Sequence, residues 1–193
     1  TALHRAWLES DQPIRAYGPA LDAIRQADLI VLGPGSLFTS IIPNLLVPGV
    51  IDAIRESHGV TMFVCSLADM QGETWGLSAK EHYEALVRHG MDGLVDYMLV
   101  HSPEPLRPAR RLDRMAAALR RAPETLPMRS EQEASAIRPV RISYEDACAI
   151  QQSGPVVLVR NLVDQLRPTW HDPNALRDAM RTVVRLSRMR LRR

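Results

Sequence analysis

Leu29-Ile30-Val31-Leu32-Gly33-Pro34-Gly35-Ser36 is the stretch whose reading decides the fold. Four consecutive apolar residues closed by Gly and Pro suit a strand buried on both faces of a parallel sheet. Upstream, Pro19 to Asp28 places Ala20, Leu21 and Ile24 on one helical face. Downstream, Pro48 to Ser57 reads as a helix with Pro48 near its first turn. Thr61 to Leu67 reads as a second strand. Ser78-Ala79-Lys80-Glu81 is a capping box that opens a helix running to about His89. Asp96 to Val100 reads as a third strand. This alternation predicts an α/β fold: a Rossmann-like, doubly wound, mostly parallel sheet in three α/β/α layers. Ligands of such sheets sit outside the carboxyl ends of the strands, where the loops after Leu32 and Leu67 both lie.

From Pro103 the composition shifts. Five prolines, Pro103, Pro105, Pro108, Pro123 and Pro127, surround an Arg/Ala-rich helix predicted from about Ala109 to Arg121. The expected organisation is residues 1–102 as one stretch of the α/β domain and 103–135 as a Pro/Arg-rich insertion or lid. Residues 136–193 then return to the same domain. In that last part, Val140-Arg141-Ile142 and Val156 to Val159 read as strands, the latter buried. A helix from Ser143, with Asp146 as its box partner, lies between them. Asp172-Pro173 starts the final helix, with Asp as cap and Pro at the first position.

The 193 residues are 46% hydrophobic but only 5% aromatic, so the core is aliphatic. No apolar run is long enough to span a membrane, and no secretory signal opens the chain. Cys65 and Cys148 both lie among apolar residues and read as reduced core thiols, which points to the cytoplasm. The net charge is +2, and Lys80 is the one lysine. Arginines gather at Arg107, Arg110, Arg111, Arg114, Arg120 and Arg121, and recur at helical spacing as Arg177, Arg181, Arg185 and Arg188. Two readings stay open: a solvated helix face, or a patch for phosphate or an acidic partner. No nucleic-acid motif accompanies the arginines, so no nucleic-acid partner is expected.

The chemistry-bearing candidates begin with Gly33-Pro34-Gly35-Ser36-Leu37-Phe38-Thr39-Ser40. Glycines after a strand admit an anion close to the backbone. Loop N–H groups and the hydroxyls of Ser36, Thr39 and Ser40 can cradle phosphate. The loop is neither a Walker loop nor a Gly-x-Gly-x-x-Gly fingerprint, so a plain tight turn stays open beside the cradle. Asn44 either caps the following segment or lines the site. Glu73 either orients a sugar hydroxyl or a magnesium-bound water, or bonds its own turn. His82 reads as a histidine bonded to backbone on a helix face, since no metal ligand follows at i+4. His171 precedes a helix start and reads as structural. Cys65 sits inside a strand without a local base and reads as a core thiol. No catalytic arrangement and no metal cluster is expected.

The run Ala27 to Val47, with Gly33-Pro34-Gly35-Ser36-Leu37-Phe38-Thr39-Ser40-Ile41-Ile42-Pro43-Asn44 at its centre, resembles the signature of the gluconeogenesis-factor (YvcK-type) branch of the CofD-like superfamily. Gln71-Gly72-Glu73-Thr74, followed by Ser78 and His82, is similar to the family's Thr-Gln-Pro-Gly-Glu-Thr segment. His171-Asp172-Pro173 resembles its closing helix start. The resemblance covers about Arg5 to Leu186 and is thinnest between Pro103 and Ser135.

The resemblance implies a site for a nucleotide sugar or another phosphorylated small molecule. Its residues would be Gly33, Pro34, Gly35, Ser36, Thr39, Ser40, Asn44, Ser66, Gly72, Glu73 and Thr74. Magnesium accompanying a nucleotide ligand is the one cofactor it leaves room for, and a homodimer is the assembly it implies. The function implied is UDP-N-acetylglucosamine binding with a regulatory role in cell shape, wall synthesis and gluconeogenic growth. The alternatives are a 2-phospho-L-lactate transferase acting on a deazaflavin, for which the loop would read Gly-Pro-Ser-Asn, and a truncated interaction module using its arginine helix. Departures bear on the ligand: Ser66 stands for the family's Asn, and Asp69 puts a negative charge beside an anion site. The family's opening Gly-Gly-Gly-Thr-Gly loop and Asp-Asp-Gly-Gly segment are not in these residues, so the resemblance implies that residues 1–102 are the C-terminal part of the family's α/β nucleotide-site domain and hold half a pocket.

Overall fold

The computed structural model describes residues 2–108 and 138–190. Four parallel strands form one sheet in the order β1 (Leu29–Leu32), β2 (Val60–Val64), β3 (Tyr97–His101) and β4 (Val156–Arg160). Helices α1 (Gly18–Arg25), α2 (Ile42–Leu45), α3 (Val50–Glu56), α4 (Ala79–Leu86), α5 (Tyr144–Gln152) and α6 (Pro173–Arg190) complete the chain order. The α/β fold expected from the alternation is present.

The central strands alternate as period-2 geometry requires. Phe63, Cys65, Met98 and Val100 join a core with Ile54 of α3, Tyr83 and Leu86 of α4 and Ile150 of α5. Met62, Val64, Tyr97 and Leu99 point the other way and pack against Ala179 and Val183 of α6. Connections that always step in one direction across a parallel sheet place their helices on one face when the crossovers are right-handed. That is why α3, α4 and α5 share a side; α6, which follows the last described strand and is bound by no such crossover, packs on the other.

Capping explains two helix starts. Ser78 accepts the Glu81 N–H while Glu81 accepts the Ser78 N–H, and Ser143 with Asp146 does the same. Two histidines then tie α4 and the turn after it to their surroundings. His82, fully buried, holds Ser78 O through Nδ1 at 2.9 Å, as its backbone-bonded reading expected. His89 Nδ1 lies 2.7 Å from Ala85 O, and its Nε2 accepts the Ala6 N–H at 3.1 Å. That second bond fastens the N-terminal segment across the helix.

Several expectations need correction. Val140 to Ile142 form no strand. Only Pro139 makes a β-bridge, to Ala68, with Val140 N–H donating to Leu67 O. The ladder goes no further because the Arg141 carbonyl accepts the Ala79 N–H at the start of α4, 2.8 Å, instead of pairing with the segment after β2. β4 is half-buried rather than buried, because it is the edge of the described sheet. The strand begun at Thr61 ends at Val64, short of Leu67. Cys148 is half-buried, not in the core: α5 buries Ala147 and Ile150, and Cys148 lies off that stripe. The helix predicted over Ala109 to Arg121, and most of the 103–135 segment, lie outside the described residues.

No single helix among the described residues is long and apolar enough to cross a membrane. The bent pair Leu37–Leu45 and Val50–Glu56 passes that test together, but its Leu37, Phe38, Ile41, Ile42, Leu45, Ala53 and Ile54 are buried in the core. Along α6, Arg177, Arg181, Arg185 and Arg188 flank a shallow groove floored by Leu176, Met180 and Val184.

Candidate functional site

At the carboxyl edge of the sheet lies a cleft of about 690 Å³, lined by Pro34 and Gly35, by Ser66 to Gln71 with Trp75, and by Thr169 to His171 with Leu176. Its parts come from the loops after β1, β2 and β4, which is where ligands of parallel sheets bind.

The first loop is sharply constrained. Gly33 has φ +87°, and a Cβ there would sit 2.8 Å from Val64 O, so only glycine fits beside β2. The Gly33–Pro34 peptide is cis. Beyond Ser36 the chain enters a π turn, Leu37–Ile41, whose Leu37, Phe38 and Ile41 plug into the core. Ser66 Oγ donates to Gly35 O at 3.1 Å and pins the loop to the end of β2.

Glu73 is only 4% exposed. Its carboxylate accepts the Phe38 N–H at 2.7 Å and the Thr39 hydroxyl at 3.2 Å. It therefore ties the two loops together and occupies donors that the sequence assigned to an anion. It bonds the neighbouring loop rather than its own turn. Thr74 is buried, and its hydroxyl accepts the Met70 N–H. Asn44 donates to Ser40 O at 2.6 Å, an i−4 bond at the helix surface, and does not line the cleft. Ser36 Oγ contacts Met70 Sδ at 3.8 Å. Of the residues predicted for a ligand, Pro34, Gly35 and Ser66 line the cleft. Gly33, Ser36, Thr39, Ser40, Asn44, Gly72, Glu73 and Thr74 surround or brace it.

Asp69 stands in the cleft wall, but its charge is not free. The carboxylate accepts the Gly76 N–H at 2.6 Å and lies 3.1 Å from an Arg138 guanidinium nitrogen. That nitrogen makes no properly angled hydrogen bond, so the contact is an ion pair rather than a fork. The guanidinium also stacks over Trp75, 3.6 Å from the ring centroid. The charge that Asp69 was expected to set against an anion is therefore offset by Arg138.

Sequence reasoning missed the third wall. His171 Nε2 lies 3.3 Å from Cys65 O. Burial lowers the His171 pKa, the Cys65 carbonyl opposes this, and neighbouring His101 lowers it further. His101 is itself lowered by burial, and its Nδ1 accepts the Leu162 N–H at 3.2 Å. Trp170 stacks under Arg167 at 4.6 Å and lines the cleft beside Thr169. The signal available in the sequence was His171-Asp172-Pro173, which marks a helix start without saying which way the histidine faces. Burial drives the Cys65 thiol up to about 12, so it is not a thiolate nucleophile.

A sequence profile described as "2-phospho-L-lactate transferase CofD" matches residues 1–140. This chain belongs to the CofD family. It is similar to the gluconeogenesis factor of Halalkalibacterium halodurans, 49% identical over 86 residues that span 45% of this chain and 26% of that protein. It is also similar to the gluconeogenesis factor of Bacillus subtilis, 38% identical over 102 residues that span 53% of this chain and 32% of that one. A crystal structure of a UPF0052-family protein from Bacillus halodurans superposes with a TM-score of 0.63 and 30% identity, over 86% of this chain and 46% of that chain. The chain thus spans about a third or less of the curated relatives and about half of the solved neighbour.

Proposed function

We propose that this chain forms part of a cytoplasmic regulatory protein that binds a nucleotide sugar of the UDP-N-acetylglucosamine type. Its effects would reach cell shape, wall synthesis and gluconeogenic growth. The observation that carries the reading is the composition of the cleft: glycine-loop backbone and Ser66 on one side, Trp75 and Trp170 on others. Main chain at a glycine loop suits phosphate, and tryptophans suit a planar base. The similarity to gluconeogenesis factors supports the regulatory role. Since Glu73 takes the Phe38 and Thr39 donors and the Ser66 hydroxyl donates to Gly35 O, this reading puts the phosphates against the main chain of the Gly35 loop. The test is titration calorimetry of the complete protein with UDP-N-acetylglucosamine. Saturable heat, weakened by Gly35→Leu, supports the reading; no heat with any UDP-sugar overturns it.

A second reading is favoured by the family's own description: transfer of a 2-phospho-lactyl group to a deazaflavin. Such chemistry rests on metal and oriented phosphates more than on a side-chain nucleophile. Product formed from a nucleotide-activated phospholactate and deazaflavin, with magnesium, would establish it in place of the first.

A further inference from the structure

Consider which charges the cleft can offer a phosphorylated ligand. Among the described residues that line it, none is lysine or arginine. The one anionic side chain, Asp69, is already matched by Arg138. The one side chain there able to become a cation is His171.

Its placement suits that task. The Val163–His171 bridge and the Asp172 N–H to Leu162 O bond, 2.8 Å, fix the backbone on both sides of the residue. The ring is held by Cys65 O. A carbonyl only accepts, so Nε2 carries the proton and the neutral ring keeps its lone pair on Nδ1. No described residue bonds Nδ1. The Cys65–Ser66 junction is shared: Cys65 O holds His171, while Ser66 Oγ holds Gly35 O. The glycine loop and the imidazole therefore flank one short piece of chain.

We infer that His171 takes up a proton when a phosphorylated ligand enters the cleft, so that the imidazolium, donating from Nε2 to Cys65 O and from Nδ1 to a phosphate oxygen, supplies a positive charge that no other described side chain lining the cleft carries. The inference rests on the phosphorylated-ligand reading above. A neutral ring would turn its Nδ1 lone pair on an oxygen that can only accept; protonation turns that repulsion into a charge-assisted bond.

The groups around the ring are compatible. His101 at the end of β3 is its titratable neighbour and is biased to the neutral form. The Cys65 thiol does not ionise near neutrality. Asp69 is paired, Asp172 caps α6 by accepting the Asn174 N–H, and Asp164 faces Arg167. Burial keeps the ring neutral until a ligand arrives, so uptake is coupled to binding rather than complete beforehand.

Calorimetry of the complete protein with UDP-N-acetylglucosamine, in two buffers of different ionisation enthalpy, reads the uptake directly. The ligand's diphosphate diester exchanges no proton of its own near neutrality. The expected result is an uptake approaching one proton per ligand at neutral pH. Affinity should rise as pH falls from about 8 to about 6, by at most about tenfold per unit. His171→Gln should abolish both uptake and slope and weaken binding, with its thermal midpoint checked alongside. Binding by the wild type without proton uptake, or uptake unchanged in the variant, overturns the inference while leaving the ligand reading intact. No binding by the wild type overturns the ligand reading and this inference with it.

Discussion

Glu73 accepts the backbone N–H of Phe38 at 2.7 Å, joining the loop after β2 to the turn after β1 from a buried position. The carboxylate sits where a ligand anion would be looked for, and it holds the glycine loop from behind. Replacing it by alanine strands the Phe38 N–H and the Thr39 hydroxyl. A buried donor left without its charged acceptor costs about 1.5–3 kcal/mol. Glu73→Ala should lower the urea-derived unfolding free energy by that amount. Glu73→Gln, which keeps an acceptor for Phe38, should restore about half or more. Equal losses in the two variants would contradict the role given to this bond.

The two glycines of the loop should separate folding from binding. At Gly33 an added Cβ meets Val64 O at 2.8 Å in a left-handed backbone. Gly33→Ala should therefore destabilise by about 1–3 kcal/mol. At Gly35 the added Cβ meets only Ser40 Cβ at 3.6 Å, an ordinary contact. Gly35→Ala should leave the thermal midpoint nearly unchanged and act on ligand affinity alone. A large fall in midpoint for Gly35→Ala would be the contrary result.

Asp69 is 3% exposed at its side chain and Arg138 32%. Removing the arginine leaves a buried carboxylate uncompensated, which costs about 3 kcal/mol. Arg138→Met should show this in denaturant titration. The double variant Asp69→Asn, Arg138→Met should recover part of it, because no charge then remains to be desolvated. A double-mutant cycle with no coupling would rule out the pair as a unit.

Acid sensitivity should trace partly to His82. Its pKa is lowered chiefly by burial, against the opposing pull of Ser78 O and nearby carboxylates. Because the folded value lies below the unfolded one, the unfolded chain binds the proton more readily. Stability is whole above the unfolded value of about 6.5 and falls as pH drops from there towards the folded value. Unfolding free energies measured from pH 7.5 to 5 should decline, and His82→Leu should flatten that decline while lowering the plateau. An unchanged slope in the variant would assign the acid loss elsewhere.

Much of this was legible from local chemistry. Leu29 to Leu32 and Val156 to Val159 declared themselves as strands through unbroken apolar runs. The Ser78/Glu81 and Ser143/Asp146 boxes and Asp172-Pro173 marked helix starts, because capping is encoded within four residues. What could not be read was relational. The Arg138–Asp69 pair joins side chains on either side of a long segment. Glu73 turns out to serve Phe38, 35 residues away. His171 faces the cleft only because β2 ends beside it, and a single sequence carries no sign of that pairing. Val140 to Ile142 misled because β-branched content says nothing of whether a partner strand is free.

The cleft draws its walls from Gly35, Ser66 and His171, residues far apart in the chain. Neither the glycine loop nor the segment before α6 forms any part of it alone. It therefore exists only once β1, β2 and the region beyond β4 have all been brought into register. A molecule held there stabilises the sheet as a whole, not one loop. Amide hydrogens deep in β2 and β3 that exchange only through global opening should slow on binding as much as those at the rim.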